Sequence, residues 1–261
     1  MRQADVKLEQ RSIQSIEVGF RLIRALEEAG CRLPLKTLAA KADMPPAKAH
    51  VYAVSFMRLG LMTQDPVTGR YGLGPYAIQI GQSALRQLNI GEVGRPYLDS
   101  LHQAFRLPTY ISIWGRMGPF IVVKNDSDLP TPFSIRTGFV FPLLTTATGA
   151  IFFAFSREGA IDNLVAREGL VHPDLLEGLA ETRQRVIDQG FAVSGGTLFR
   201  GFSAIAAPVF DHEAKLAGCV TMLGIATLMD AREGSPMVAA VLDTAASIGA
   251  QLGYPGPAAR L

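Results

Sequence analysis

Residues 35–74, LKTLAAKADMPPAKAHVYAVSFMRLGLMTQDPVTGRYGLG, decide the fold of the N-terminal part of this chain. A first helix is predicted because four apolar residues fall at helical positions i, i+3, i+4 and i+7 on one face: Leu35, Leu38, Ala39 and Ala42. Two prolines then separate this helix from the next one. Pro45 disfavours helical geometry at Met44, whereas Pro46 suits the first turn of a new helix.

A second helix is predicted to end at Gly60, because glycine is a common C-terminal stop. The face expected to be buried carries Ala49, Tyr52 or Ala53, Phe56 and Leu59. The opposite face carries Lys48, Val51, Ser55 and Arg58. Two short extended runs follow, residues 61–64 and 70–73, and the DPVTG segment between them has the composition of a hairpin loop. This order predicts a winged helix-turn-helix, which lays its second helix in the major groove of DNA and its wing on the adjacent backbone.

The candidate DNA-binding residues belong to this unit: Thr37, Pro46, Ala47, Lys48, His50, Val51, Ser55, Arg58, Arg70 and Tyr71. Helix pairs joined by short turns also occur in proteins that never meet DNA. The hairpin with Arg70 and Tyr71, placed directly behind Arg58, favours the DNA-binding interpretation. The charge distribution agrees, because residues 1–80 hold 11 Lys and Arg against 7 Asp and Glu, although the net charge of the chain is only +2.

Length and composition limit the other possibilities. A chain of 261 residues corresponds to roughly two domains of about 150 residues each. No apolar run reaches the roughly 18 residues of a membrane span, and the N-terminus has no apolar signal core. We therefore expect a cytoplasmic protein with no membrane partner. Cys31 and Cys219 have no metal-ligand spacing and are expected to be reduced thiols.

The chain is expected to have three parts: residues 1–74 as the winged helix-turn-helix domain, 75–89 as a linker helix and 90–261 as an α+β domain. The first part should begin with a helix capped by Ser12 or Ser15. The buried stripe of that helix is predicted to be Ile16, Phe20, Ile23 and Leu26. The small residues of the linker helix, Ala77, Gly81 and Ala84, are interpreted as a dimer interface because helix-turn-helix proteins bind paired half-sites. A plain connector is the alternative.

From Ile90 onwards, β-branched and aromatic runs alternate with helical patterns. Strands are predicted at residues 109–114, 120–124, 133–137, 191–194, 204–210 and 217–223. Helices are predicted from residue 90 to about 105 and at residues 146–155, 159–168, 173–189 and 237–252. Hairpins followed by helices, and then hairpins closed by a helix, are typical of an α+β domain with an antiparallel sheet.

No catalytic constellation is found. The histidines, His50, His102, His172 and His212, are scattered singly, so a metal site is not expected. The chain has neither a nucleophile elbow nor a P-loop, and its acidic pairs sit in turn-like stretches. We therefore expect neither a cofactor nor an enzymatic activity.

A binding pocket is better supported, at the run PLLTTATGA of residues 142–150. This run ends a strand and begins a helix, with Thr145 or Thr146 as the N-cap. Small residues follow, so the backbone N–H groups of the first turn could receive an anion such as a carboxylate. Alternatively, the small residues only allow the helix to pack close to the sheet.

The chain resembles the isocitrate-lyase-regulator (IclR) family of transcriptional regulators over essentially its whole length. The resemblance is carried by the helix-turn-helix and by SIQSIEVGFRLIRALEEAG, GRYGLGPYAIQIG, RTGFVFPLLTTATGAIFFAF and RQRVIDQGFAVSGGTLFRGFSAIAAPVFD. It implies a winged N-terminal domain, a linker helix and a C-terminal GAF-like effector domain. It also implies homodimers or dimers of dimers that bind operator DNA and small organic or aromatic acids and act as repressors or activators of catabolic genes.

The resemblance also implies an effector site beneath the helix that starts near Thr146. The matching positions are Leu143, Ala147, Thr148, Gly149, Ser194, Ala204, Thr221 and Leu223. The chain departs from the family's second helix, which begins with a Ser-Thr-type pair and carries an arginine one turn on: those places hold Ala47 and Lys48, and then Val51. Val51 offers a thymine methyl only an apolar contact. The chain also has SGGT at residues 194–197 in place of an acidic run. A less polar site of this kind suits a ligand with apolar surface, such as an aromatic acid.

Two functions follow. The first is a ligand-responsive, sequence-specific DNA-binding regulator. The second is a small-molecule-binding GAF-type module whose helix-turn-helix serves assembly without specific DNA binding.

Overall fold

The structure is a computed structural model that describes residues 13–87, 89–126, 135–156, 159, 161–195, 198 and 200–256. The chain divides into two units, residues 1–87 and 88–261. The first unit contains the predicted helix-turn-helix and the second contains the predicted α+β domain, so the predicted fold class is confirmed.

Over residues 13–87, the first unit contains four helices and one hairpin. In chain order these are α1 (Gln14–Ala29), α2 (Leu35–Lys41), α3 (Pro46–Arg58), β1 (Met62–Gln64), β2 (Tyr71–Leu73) and α4 (Pro75–Gln87). The apolar faces predicted for α2 and for most of α3 are buried in one core, with Leu38, Ala49 and Ala53 fully inaccessible. Strands β1 and β2 pair antiparallel, with Thr63 opposite Gly72.

The stripe predicted for α1 is wrong in part. Ile16 is 56% and Phe20 is 45% exposed, whereas Leu22 and Leu26 are buried. The reason is a glycine on the buried face. A Cβ at Gly19 would lie 2.8 Å from the Tyr52 ring of α3, so the backbone of α1 lies against α3 at Gly19, while the Phe20 ring beside it contacts Phe56 only edge-on and stays partly exposed.

Two further expectations for the first unit are corrected. Residue Ile13 precedes α1 without a side-chain cap, while Ser15 lies inside the helix and Ser12 lies outside the described residues. Leu59, expected on the buried face of α3, is exposed. It follows the last helical residue, and the chain then turns at Gly60 with a left-handed φ of 73°.

The second unit is a five-stranded antiparallel sheet between helices. Its elements are α5 (Ile90–Phe105), β3 (Thr109–Gly115), β4 (Gly118–Asn125), α6 (Ala147–Phe155), α7 (Asp162–Val171), α8 (Leu179–Gln189), β5 (Ala192–Gly195), β6 (Phe202–Phe210), β7 (Leu216–Ile225) and α9 (Pro236–Gln251). The strand order is β4-β3-β7-β6-β5. Helices α5 and α9 pack on one face of the sheet and α6 packs on the other, so that two apolar clusters are formed.

Two predicted elements of this unit differ from the structure. The helix expected at residues 173–189 is divided into a 3₁₀ turn, Pro173–Leu176, and α8, because Gly178 adopts a left-handed φ of 70° between them. Of the strand expected at residues 133–137, only 135–137 are described, and they are not a strand. Val140 instead forms an isolated bridge with Phe120. Within the described residues, no helix is long and apolar enough to cross a membrane.

Candidate functional site

The outer face of α3 is open. Its side chains Lys48, Val51, Ser55 and Arg58 are exposed, and Val51 is 65% accessible at the centre of the face. The side chains at Thr37, Pro46, Ala47, His50 and Arg70 are exposed as well. The Ser55 hydroxyl donates to the carbonyl of Val51 at 3.2 Å, one turn earlier on the same helix. The cationic groups of this face are thus Lys48 and Arg58, with an apolar residue between them.

Tyr71 differs from the other predicted contacts because only 3% of its surface is exposed. Its backbone N–H donates to Leu33 at 2.8 Å and its carbonyl accepts from Leu33 at 2.9 Å. The ring belongs to the core of the first unit. The expectation that this side chain contacts DNA is therefore wrong for the chain as it is folded here, and its role is to attach the wing to the helices.

The shape of the wing depends on Asp65, which the sequence analysis did not single out. One carboxylate oxygen of Asp65 accepts from the N–H groups of Val67 (2.9 Å) and Thr68 (2.8 Å), and the other accepts from Arg32 at 2.7 Å. The N–H donors of Thr68 and Val67 hold the pKa of this carboxyl below its usual value. The Arg32 guanidinium compensates the negative charge of Asp65 at the start of the hairpin loop. An aspartate that opens a DPVTG loop is the signal that could have revealed this contact.

In the second unit, the segment before α6 is fixed through its backbone. Thr146 is the N-cap: its Oγ1 accepts from the N–H of Gly149 at 2.9 Å and donates to the carbonyl of Pro142 at 2.8 Å. A Cβ at Gly149 would overlap the Pro142 carbonyl oxygen and would lie 2.6 Å from that of Leu143. Close packing is therefore one reason for the small residues of this run.

The carboxylate of Glu168, a residue of α7, lies beside the same segment. Its two oxygens accept from the N–H groups of Leu143 (2.8 Å) and Leu144 (3.0 Å). A cavity of about 370 Å³ adjoins this contact and is lined in part by Pro142, Thr145 and Glu168. The first turn of α6 was expected to offer three N–H groups to an anion. The N–H of Gly149 already donates to Thr146, so the N–H groups of Ala147 and Thr148 are left for a ligand.

Buried hydroxyl groups join α6 to the sheet. Thr148 Oγ1 lies 2.9 Å from Thr221 Oγ1 and 3.4 Å from the Tyr110 hydroxyl, and Cys219 Sγ lies 3.6 Å from Thr221 Oγ1. Burial raises the pKa of the Tyr110 hydroxyl above its usual range and that of the Cys219 thiol to about 12. The groups are therefore neutral at physiological pH. We call Tyr110, Thr148, Cys219 and Thr221 the hydroxyl cluster.

Ser112 lies beside this cluster. It is opposite Cys219 in the β3–β7 register and two residues from Tyr110, on the same face of β3. Its buried hydroxyl has no hydrogen-bond partner among the described residues. The predicted site residues did not include Tyr110, Ser112 and Cys219, although the period-2 pattern of β3 places Tyr110 and Ser112 on one face.

The predicted effector residues come together around the hydroxyl cluster. Thr148 and Thr221 are in direct contact, and Leu143, Ala147, Ala204 and Leu223 belong to the apolar cluster on the α6 face of the sheet. Strand register places Ser194 opposite Ala204 and Ala204 opposite Leu223, in one row across β5, β6 and β7. The eight positions are thus close neighbours, and their binding of an effector stays a prediction. Among the described residues, no group of three or more His, Cys, Asp or Glu side chains could hold a metal ion.

Comparisons with known proteins match both units. The family model described as "IclR helix-turn-helix domain" matches residues 15–66. The model described as "Bacterial transcriptional regulator IclR C-terminal" matches residues 82–250. The two matches cover the segment of the open α3 face and the segment of the hydroxyl cluster.

Individual relatives match over most of their length. The glycerol operon regulatory protein of Streptomyces griseus is 27% identical over 252 residues, which cover 93% of this chain and 98% of that protein. The crystal structure of Pseudomonas aeruginosa HmgR has a TM-score of 0.87 and 29% identity, and the match covers 94% of this chain and 100% of that one. The Agrobacterium tumefaciens repressor BlcR, at 19% identity and a TM-score of 0.79 over 95% of this chain and 100% of its own, shares the fold.

Proposed function

Because the chain belongs to the IclR family of bacterial transcriptional regulators, we propose that it binds operator DNA sequence-specifically and that a small organic or aromatic acid controls this binding. The observation that carries the proposal is the open outer face of α3, where Lys48, Val51 and Arg58 are exposed. The hairpin that follows α3 is held in shape by the contact of Asp65 with Arg32. The genes under control are proposed to be catabolic, since the Streptomyces griseus relative is named for a glycerol operon. Action on DNA would occur in the cytoplasm, with no enzymatic step.

The chemistry of each side chain indicates whether it would contact a phosphate or a base. Lys48, Arg58 and Arg70 are exposed cations, and cations of this kind bind phosphates and release counterions. Val51 is apolar and exposed between them, so it would read a thymine methyl and not a hydrogen-bonding base edge. Ser55 already donates to its own helix and would contribute less.

A direct test uses the DNA upstream of this protein's own gene and a scrambled sequence of equal length. We expect gel-shift affinity for the upstream DNA to exceed that for the scrambled DNA by at least about a thousandfold, and to fall steeply with salt. Equal affinity for both sequences would favour the alternative, a small-molecule-binding module whose helix-turn-helix serves assembly.

The proposed regulator works as a homodimer, or as a dimer of dimers, because one monomer cannot occupy two half-sites. Helix α4 is the proposed interface. Its apolar side chains Tyr76, Ile78 and Ile80 are exposed, as is Gly81, while Ala77 is half-buried. The Ala84 side chain lies outside the part of the chain that the structure describes.

Gly81→Arg should convert the dimer into a monomer or a misaligned dimer that binds operator DNA poorly. Apart from its chain neighbours and its own helix backbone, an added Cβ at Gly81 meets no atom of the described residues within 4 Å, so the substitution should act on the partner and not on folding. Light scattering measures the outcome, and Gln82→Arg, at the adjacent exposed position, is the matched control. An unchanged, DNA-competent dimer of Gly81→Arg would refute this interface.

The effector is proposed to bind beside the hydroxyl cluster with its acidic group towards the Ala147 and Thr148 N–H groups. A helix start stabilises an anion by up to about 2 kcal/mol in partly buried geometry. Thr221 and Ser194 would orient the ligand, and Leu143 and Leu223 would contact its apolar part. The neutral state of the hydroxyl cluster supports a ligand whose body carries no second charge.

A further inference from the structure

A groove in the second unit lies outside the proposed effector site. It is formed by the turn between β3 and β4 and by one side of α7, and it has a volume of about 320 Å³. Binding sites for small molecules usually measure about 300–1,000 Å³, so the groove suits a ligand with a single ring. Its main lining residues are Trp114, Arg116, Met117, Asn163, Leu164 and Arg167. None of the eight predicted effector residues is among them.

The groove carries two positive charges that nothing compensates within the described residues. Arg116 and Arg167 are exposed, and neither guanidinium makes a hydrogen bond or ion pair there. The described lining includes no aspartate or glutamate. Arg183 provides the contrast, since its guanidinium donates to the carbonyls of Ala154 and Ser156. Two unpaired guanidinium groups on one groove attract an anion, and a carboxylate matches their planar donors.

Close packing fixes the turn between β3 and β4 against α7, and these two elements carry Arg116 and Arg167. Gly118 has a φ of 122°, and a Cβ there would lie 3.2 Å from the Leu164 side chain of α7. The turn therefore packs tightly on the helix that carries Arg167. This close approach holds Arg116 and Arg167 on opposite walls of one groove.

An aromatic wall accompanies the charges. Trp114 is 41% exposed although its ring is held 5.8 Å from that of Phe152 on α6, at an interplanar angle of 40°. Met117 adds an exposed apolar side chain beside it. An anchored, accessible indole favours stacking with a planar ligand.

We propose that this groove is a second ligand site of the protein, which binds an aromatic carboxylate with its ring on Trp114 and its carboxylate on Arg116 and Arg167. Inorganic anions would use the charges without the indole, and neutral aromatics would use the indole without the charges. Only a ligand that carries both features uses the whole groove.

The chain contains a single tryptophan, so its fluorescence reports on this groove in the full-length protein. We would titrate benzoate, benzamide and acetate, which separate the ring from the charge, and would repeat each titration by calorimetry. Benzoate should give a saturable change in emission. Benzamide and acetate should each bind at least about tenfold more weakly, since the first lacks the charge-assisted hydrogen bonds and the second lacks the ring.

Arg116→Gln and Arg167→Gln should each weaken benzoate binding by about tenfold or more, and the double variant should abolish it. Arg185→Gln is the matched control, because Arg185 is an exposed arginine of α8 that lies outside the groove and donates to the Thr182 hydroxyl. It should bind benzoate as the parent does. Thr148→Val, which alters the hydroxyl cluster of the proposed effector site, shows whether any benzoate signal comes from that site and not from the groove.

Several results would overturn the proposal. One is a benzoate titration that gives neither heat nor an emission change, and another is a double arginine variant that binds benzoate as tightly as the parent. Equal affinity for benzamide, or for acetate, would remove the argument from charge or from the ring. Loss of binding in Thr148→Val with retention in the double arginine variant would assign benzoate to the effector site instead of the groove.

Discussion

A quadruple variant, Lys48→Ala, Ser55→Ala, Arg58→Ala and Arg70→Ala, should lose specific operator binding. Three of the four substitutions remove an exposed cation from α3 or the wing. Each lost phosphate contact lowers the slope of log affinity against log salt by about 0.9, and each lost contact weakens binding by about 1–3 kcal/mol. We therefore expect affinity to fall by at least about a hundredfold and the salt slope to fall by about three, as measured in gel-shift titrations at several salt concentrations.

The matched control removes three arginines from the second unit, Arg136, Arg185 and Arg200, which are also exposed. It changes the net charge by the same amount and should bind the operator nearly as the parent does. Thermal melts should show both variants folded, because none of the substituted side chains is buried. A folded quadruple variant with full operator affinity would contradict the assignment of α3 and the wing to DNA.

Thr148→Val should remove the response to an acidic effector. Valine has the shape of threonine without the hydroxyl, so the substitution breaks the 2.9 Å contact with Thr221 and the 3.4 Å contact with Tyr110. Leaving a buried hydroxyl without this partner costs about 1–3 kcal/mol of folding free energy. We expect an effector found by screening aromatic acids to bind at least about tenfold more weakly by calorimetry, with DNA affinity in its absence unchanged.

Thr148→Ser is the control, because serine retains the hydroxyl and should largely restore effector binding. A charged substitution at this position would be a poorer test. Thr148 is 1% exposed, and an aspartate there would be destabilising for reasons unrelated to the ligand. If Thr148→Val binds the acid as tightly as the parent does, the effector site lies elsewhere.

Local sequence patterns were sufficient for the helix-turn-helix. The outer face of α3 is predicted correctly because helical period alone separates Lys48 and Arg58 from Ala49 and Ala53. The same reasoning failed at α1, where Gly19 and not the larger apolar residues meets Tyr52 of another helix. The helical period of the apolar residues identifies the apolar face of a helix. Which edge of that face is buried depends on the helix that packs against it.

The candidate effector site depends on contacts that are distant in sequence. Thr148 and Thr221 are 73 residues apart, and Glu168 reaches Leu143 across 25 residues. The resemblance to the family predicted that Thr148 and Thr221 belong to one site. Nothing in the local sequence indicated that Glu168 would bind the segment before α6. Asp65 was missed for a related reason, because its partner Arg32 lies 33 residues away.

The contacts that fix the segment before α6 also bear on how the protein can change in evolution. Glu168 binds the main-chain N–H groups of Leu143 and Leu144, and Thr146 binds the main-chain carbonyl of Pro142. None of these contacts requires a particular side chain at Leu143 or Leu144. Mutation can therefore change the side chains at these two positions without breaking the contacts, whereas Gly149, which admits no Cβ, must stay constant. In the proposed effector site, ligand preference and loop architecture would thus be encoded by different residues and could diverge separately.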